Sequence, residues 1–248
     1  MHKDLAYIDS LKAKLASLRP LNQGELRRVR DDFNIKYTYD SNAIEGSTLT
    51  LRETALILKE DVTIAGKPLR MHLDAIGHRD AFEYVLSIAK PDDPLTERRI
   101  KELHALVLMN DTENRGTYRK LPVMIRGASN QPPQPYLVTP QMEALLAWYA
   151  DISGKKHPLE IIAEFHLRFE GIHPFIDGNG RVGRLVMNLE LIKAGYLPVN
   201  IPFEDRQEYY ACFDAYFGQE KTSDAFTALV ARHERLELER YISIVQHG

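Results

Sequence analysis

The chain has 248 residues, enough for one large or two small domains, and 44% of them are hydrophobic, so material for a sizeable core is present. A formal net charge of −3 and a pI near 6.3 argue against a nucleic-acid-binding body, and no apolar run approaches the ~20 residues that a membrane span needs. The single cysteine, Cys212, can make no internal disulfide; with a charged, amphipathic start and no signal-peptide pattern, the expectation is a cytoplasmic protein.

Helical periodicity dominates the chain. A first helix is expected over about 3–18, broken at Pro20, and a second over 21–45, stopped by Gly46. Thr50-Leu-Arg-Glu53 reads as a capping box for a helix over 51–60. Gly66-Lys-Pro68 marks a loop before a helix over about 69–89, in which His72 and His78 read as surface residues. Pro91-Asp-Asp-Pro94 is the clearest boundary, dividing an N-terminal helical region (1–90) from a core (95–217) and a C-terminal helix (218–248) within one compact unit.

A helix over about 96–109 opens the core. Val123-Met124-Ile125-Arg126 and Tyr136-Leu137-Val138 are β-prone, with Gly127, Pro132, Pro133 and Pro135 between them, and read as an irregular hairpin. Helices over 140–152 and 158–170 follow; the second sets Ile161, Ile162, Phe165 and Phe169 on one face, carries His166 as a packed residue, and ends at Gly171. Further helices are expected over about 181–194, 204–217 and 222–246, the charged Arg232–Arg240 run being read as a solvated face. Glu170 and Asp205 show no evident catalytic partner. The fold class is therefore mainly α, a helical bundle with a small β-hairpin flap.

The densest chemistry lies in His173-Pro-Phe-Ile-Asp177-Gly178-Asn179-Gly180-Arg181-Val182-Gly183-Arg184. Glycines permit positive φ, so that consecutive N–H groups can turn toward one anion, and the apolar helical run that follows places this nest at a helix N-terminus, where the macrodipole favours negative charge. Arg181 and Arg184, three apart, share a helix face. Asp177 is a hard-metal ligand, suited to Mg²⁺ bridging phosphate oxygens. His173 is an imidazole base, able to accept a hydroxyl proton. These are the parts needed to hold a polyphosphate and attack it.

This run resembles the signature of Fic-domain proteins, His-Pro-Phe-x-Asp/Glu-Gly-Asn-Gly-Arg-x-x-Arg, at every fixed position, including Arg184, which the related Doc-type kinases usually lack. The resemblance covers about residues 95–215 as a core and implies a Fic-type helical bundle. It implies a protein adenylyltransferase that moves AMP from ATP to a Ser, Thr or Tyr hydroxyl of a target protein, with Mg²⁺ as cofactor. His173 would be the catalytic base and Asp177 the metal ligand. Gly178, Asn179 and Gly180 would form the anion hole, Arg181 would bind the β-phosphate and Arg184 the γ-phosphate, with Val182 and Gly183 between them, and Phe175 would pin the loop. The hairpin, with its lead-in Gly116-Thr-Tyr-Arg119, would dock the target through Val123, Met124 and Ile125, and these with Arg126 would border the nucleotide. Tyr209 would lie near the nucleobase; Phe217 replaces an asparagine the family often has, so base specificity stays open. Ser41-Asn-Ala-Ile-Glu45-Gly46 resembles the family's inhibitory signature, Ser/Thr-x-x-x-Glu-Gly/Asn, with Glu45 pairing Arg184. Self-modification and a homodimer through helical surfaces fit the family. Two alternatives stand beside AMP transfer: removal of AMP by the same site, and a non-enzymatic helical adaptor.

Overall fold

The computed structural model describes residues 2–124, 130–218 and 221–247. Among them run ten α-helices: α1 (His2–Ser17), α2 (Gln23–Ile44), α3 (Leu51–Glu60), α4 (Leu69–Ile88), α5 (Glu97–Val107), α6 (Val138–Ile152), α7 (Pro158–Ile172), α8 (Asn179–Lys193), α9 (Arg206–Phe217) and α10 (Asp224–His247). Local chemistry sets their starts. Thr50 and Glu53 close the expected capping box of α3 reciprocally, and Asn22 with Glu25 does the same for α2. Proline occupies the first turn of α7, and the His157 side chain caps it by accepting from Leu159 N–H at 3.2 Å.

The axis of the fold is α8. Twelve of its fifteen residues are buried, polar ones included, so it is enclosed on all sides and its charges must find partners inside the protein. One side packs with Leu5, Ile8, Leu167 and Phe226 from α1, α7 and α10; the other packs with Tyr37, Phe82, Leu103 and Phe169 from α2, α4, α5 and α7. Each such side chain contributes about 1.5–3 kcal/mol. A Cβ on Gly77 would lie 2.4 Å from the Leu106 carbonyl oxygen, so α4 and α5 cross at a distance only glycine allows. No described helix is long and apolar enough to cross a membrane.

Four expectations change. No strand forms among the described residues, and Tyr136–Val138 is helical: Pro135–Leu137 is a 3₁₀ turn that feeds α6. Pro135 opens that turn, because its fixed φ suits a helical first position and it has no N–H to give a ladder. Val123 and Met124 are irregular, Met124 being 78% exposed, while Ile125, Arg126 and Gly127 lie outside the described residues. His72 and His78 are buried rather than at the surface: His72 accepts from Ile64 N–H at 2.8 Å, and His78 bonds Thr38 Oγ1 at 3.1 Å. Helix α7 runs past Gly171 to Ile172. Finally, the Arg232–Arg240 run is not simply solvated, since Glu234 is fully buried, accepts from Leu197 N–H at 2.9 Å, and is pushed up to about 8 by burial.

Candidate active site

The loop between α7 and α8 is held open by a chain of specific contacts. His173 caps α7 in the left-handed region (φ 49°), a conformation costly for a non-glycine residue that must be enforced from outside. Arg119 does so: its Nε donates to the His173 carbonyl at 2.8 Å, and its backbone N–H donates to the Pro174 carbonyl at 2.9 Å. The same guanidinium reaches Leu121 O at 3.2 Å and Pro133 O at 2.6 Å, tying both of these backbone positions to the turn at His173. Phe175 is fully buried, as expected, and stacks on His104 with centroids 3.7 Å apart. The Asn179 side chain accepts from Phe175 N–H at 2.8 Å and donates to Phe175 O at 2.9 Å, so it staples the loop and offers an anion its backbone alone. Gly178 (φ 77°) is the N-cap of α8, and the first-turn N–H groups of Asn179, Gly180 and Arg181 follow it, the donors a helix leaves unpaired.

His104 locks this arrangement from α5. Gly116 N–H donates to its Nδ1 at 2.9 Å, which puts the ring proton on Nε2, where it donates to the Asp177 carbonyl at 3.1 Å. Burial, with Arg181 nearby, lowers its pKa to about 4 despite the bond to Asp177, so the neutral tautomer persists. Sequence reasoning missed His104, because its partners lie 12 and 73 residues away.

Both arginines are buried, Arg181 at 2% and Arg184 at 1% exposure. Arg184 donates to Ser41 Oγ at 3.0 Å and Ser41 O at 2.9 Å, to Tyr209 Oη at 3.3 Å, and to Glu45 Oε1 at 2.8 Å. Burial opposes its charge, but Tyr209 and Glu45 outweigh this and raise its pKa. A Cβ on Gly180 would lie only 2.2 Å from Glu45 Oε1, so the carboxylate rests directly over the first turn of α8. Arg181 meets Asp74 at 3.1 Å, Asn42 at 3.4 Å and Asp177 at 3.5 Å. Neither Asp74 nor the role of Asn42 was legible beforehand.

Tyr209 is 2% exposed and packed edge-on to Phe213, with its hydroxyl 2.9 Å from His166 Nε2; it meets Arg184 with that hydroxyl at 3.3 Å and with its ring, whose centroid lies 5.6 Å from the guanidinium carbon. Phe217 packs on Gly171, where a Cβ would fall 2.6 Å from its ring. The side chain of His173 is 21% exposed, and its Nδ1 lies 3.5 Å from Glu170 Oε2. Burial would raise the Glu170 pKa, but His173, His166 and Arg184 prevail and lower it, so Glu170 is an anion behind the base. Glu170 therefore has the partner that its position in sequence did not disclose. A Cβ on Gly183 would lie 2.7 Å from Glu170 Oε1 and 3.0 Å from the His166 ring, so a larger residue there would push Glu170 from its place.

Among the described residues no group of three or more His, Cys, Asp or Glu side chains gathers for a metal. Asp177 alone, 44% exposed at the lip of the nest, matches the pattern of a magnesium held by one carboxylate and substrate phosphates.

The Fic/DOC family profile matches residues 94–191. The protein adenylyltransferase Fic of Nematostella vectensis is 34% identical over 241 residues, 95% of this chain and 55% of that protein; that of Drosophila melanogaster is 35% identical over 208 residues, 83% and 42% of the two chains. The chain thus spans about half the length of the curated relatives it matches. Among solved structures, Fic-1 (residues 134–508) from C. elegans is 32% identical with a TM-score of 0.86, covering 99% of this chain and 72% of that one. A Fic domain containing signaling protein from Bacteroides thetaiotaomicron is 27% identical with a TM-score of 0.87, covering 98% of each. Motif, loop geometry, fold and sequence identity agree, and the chain belongs to the Fic/DOC family.

Proposed function

We propose that the protein transfers AMP from ATP to a Ser, Thr or Tyr hydroxyl of a target protein, or of itself, and that Glu45 restrains it. The observation that carries this reading is the buried Arg184 guanidinium, one turn into α8, held by a carboxylate 139 residues away, while His173, its side chain 21% exposed, begins the loop that leads into the same helix. His173 takes the hydroxyl proton, the oxygen attacks the α-phosphorus, and pyrophosphate leaves. The N–H groups opening α8, with Arg181 and Arg184, neutralise charge on the phosphates. Asp177 would hold Mg²⁺, which supplies charge neutralisation across phosphate oxygens when bound. The names of the Nematostella and Drosophila relatives support the same reaction. Target docking falls to the flap, whose described stem exposes Leu121 and Met124.

AMP removal is favoured by one observation: Glu45 is 37% exposed, so its carboxylate also meets solvent beside the nest. Release of AMP from a modified target that is lost in Glu45→Gly would support it.

The test of transfer is incubation of Glu45→Gly with α-labelled ATP and MgCl2. Label is expected on the protein or on a lysate target and is expected to vanish with His173→Ala. No label above the His173→Ala background would refute the reading.

A further inference from the structure

Four charged groups close a ring at the mouth of the nest. Arg70 Nη2 lies 2.5 Å from Asp177 Oδ2, Asp177 Oδ1 lies 3.5 Å from Arg181 Nη2, Arg181 Nη1 lies 3.1 Å from Asp74 Oδ1, and Asp74 Oδ2 lies 3.6 Å from Arg70 Nε. Signs alternate around it. Two members come from the first turns of α4 and two from the anion loop and α8. Their exposures are unequal: Arg181 is at 2% and Asp74 at 14%, while Asp177 is at 44% and Arg70 at 62%.

The two carboxylates therefore do different work. Asp74 faces Nη1 of Arg181 alongside Asn42, on the side away from Gly178, and leaves Nη2 within reach of the nest. It is a positioning residue. Asp177 has one oxygen committed to the loop, accepting from Gly178 N–H at 2.6 Å, and its other oxygen meets Arg70. That second oxygen is the one available to a metal. Arg70 also sits in the first turn of a helix whose N-terminus has no side-chain cap and no acidic residue, where the macrodipole disfavours a cation. Its place is explained by Asp74 and Asp177 and not by α4.

We infer that Arg70 is a displaceable stand-in for the divalent cation: it neutralises Asp177 in the nucleotide-free protein and competes with Mg²⁺ for the same carboxylate oxygen. This rests on the nucleotide reading above and adds to it a second restraint, on the metal side of the site, independent of the Glu45 contact on the phosphate side. Arg70 is mostly exposed, so the competition is mild and the side chain can swing into solvent when the cation arrives.

The experiment measures binding, not turnover. ADP is titrated calorimetrically into Glu45→Gly at a series of MgCl2 concentrations, with and without Arg70→Ala, in Asp177 and Asp177→Asn backgrounds. With Asp177 present, Arg70→Ala is expected to lower the magnesium concentration for half-maximal tightening of ADP by roughly twofold to fivefold, the range of an exposed ion pair. In Asp177→Asn the magnesium effect is expected to be small and indifferent to Arg70. An unchanged midpoint overturns the inference while leaving nucleotide binding intact. An equal shift in Asp177→Asn also overturns it, by reducing the effect to general charge. Failure of Glu45→Gly to bind ADP at any magnesium concentration overturns both this inference and the reading beneath it.

Discussion

Replacing Glu45 by glycine is expected to tighten nucleotide binding by about tenfold or more, for two separable reasons. The first is the ion pair. Arg184 is buried but Glu45 is 37% exposed, so the contact at 2.8 Å belongs between an exposed pair, worth about 0.2–1 kcal/mol, and a charge-assisted hydrogen bond, worth about 1.5–3 kcal/mol. A middle value near 1.4 kcal/mol is a factor of about ten in affinity. The second is occupancy. Glu45 Oε1 lies 2.2 Å from where a Gly180 Cβ would be, over the N–H groups a phosphate needs, and two like charges ~4 Å apart repel by about 4 kcal/mol at an effective dielectric of 20. Folding should tolerate the change, because Glu45 is exposed and caps the end of α2 without a buried side chain. Calorimetric titration with ATP and MgCl2, in a His173→Ala background that blocks transfer, reads the affinity, and Glu45→Gln separates charge from volume. The amide keeps the volume and loses the charge, so it should resemble glycine if repulsion dominates and wild type if volume dominates. Equal affinity for wild type and Glu45→Gly would refute the argument.

Arg184→Ala should weaken calorimetric binding of ATP far more than that of ADP, since it removes the γ-phosphate ligand and leaves the Tyr209 hydroxyl and Ser41 carbonyl without their shared donor. Glu170→Gln should lower kcat about tenfold with little change in KM for ATP, because the amide cannot orient an imidazole 3.5 Å away as an anion does; an unchanged kcat would deny Glu170 its role. Arg119→Ala should cost about 2–4 kcal/mol in urea denaturation and most of the labelling activity, with Arg119→Lys recovering only part, since an ammonium cannot span the carbonyls of Leu121, Pro133 and His173. Glu234 has a folded pKa of about 8 against an ordinary 4.5, so the native state holds a proton the unfolded chain releases, and its stabilising share is lost as pH rises from 4.5 through 8. Glu234→Gln should therefore gain on wild type by about 1–3 kcal/mol in denaturation at pH 8 and by nothing near pH 4.

What the sequence disclosed was what local rules govern. Helix starts followed from caps, as at Thr50 and Glu53, and the nest followed from Gly178 and Gly180 before an apolar helical run. The pairing of Glu45 with Arg184 was accessible only because two short patterns could be read together. The second arm of the expected hairpin is helical because Pro135, whose ring favours the opening of a helical turn, outweighs the β propensity of residues 136–138. Burial of His72, His78 and Glu234 could not be read from helical spacing, since α4 and α10 are covered on faces their own patterns leave polar. Arg70, Asp74, His104 and Arg119 act across 12 to 107 residues, and no local signal marks such distances.

These long-range contacts share a cause. A site for polyphosphate built inside a helical core needs guanidinium groups that are present before the ligand arrives, and a buried guanidinium without an acceptor costs several kcal/mol. The protein has to supply those acceptors itself. It supplies neutral ones to Arg184 from Ser41 and Tyr209, and charged ones from Glu45; to Arg181 it supplies Asp74, Asn42 and Asp177. Where the neutral set alone suffices, the added carboxylate contributes little to folding, and its proposed part is to exclude phosphate. Arg184 is that case: with Glu45 removed, two Ser41 oxygens and a tyrosine hydroxyl still receive its protons. The restraint proposed for Glu45 is therefore expected to lift without unfolding the site, whereas Asp74, the charged partner of Arg181 at 14% exposure, cannot be removed on the same terms.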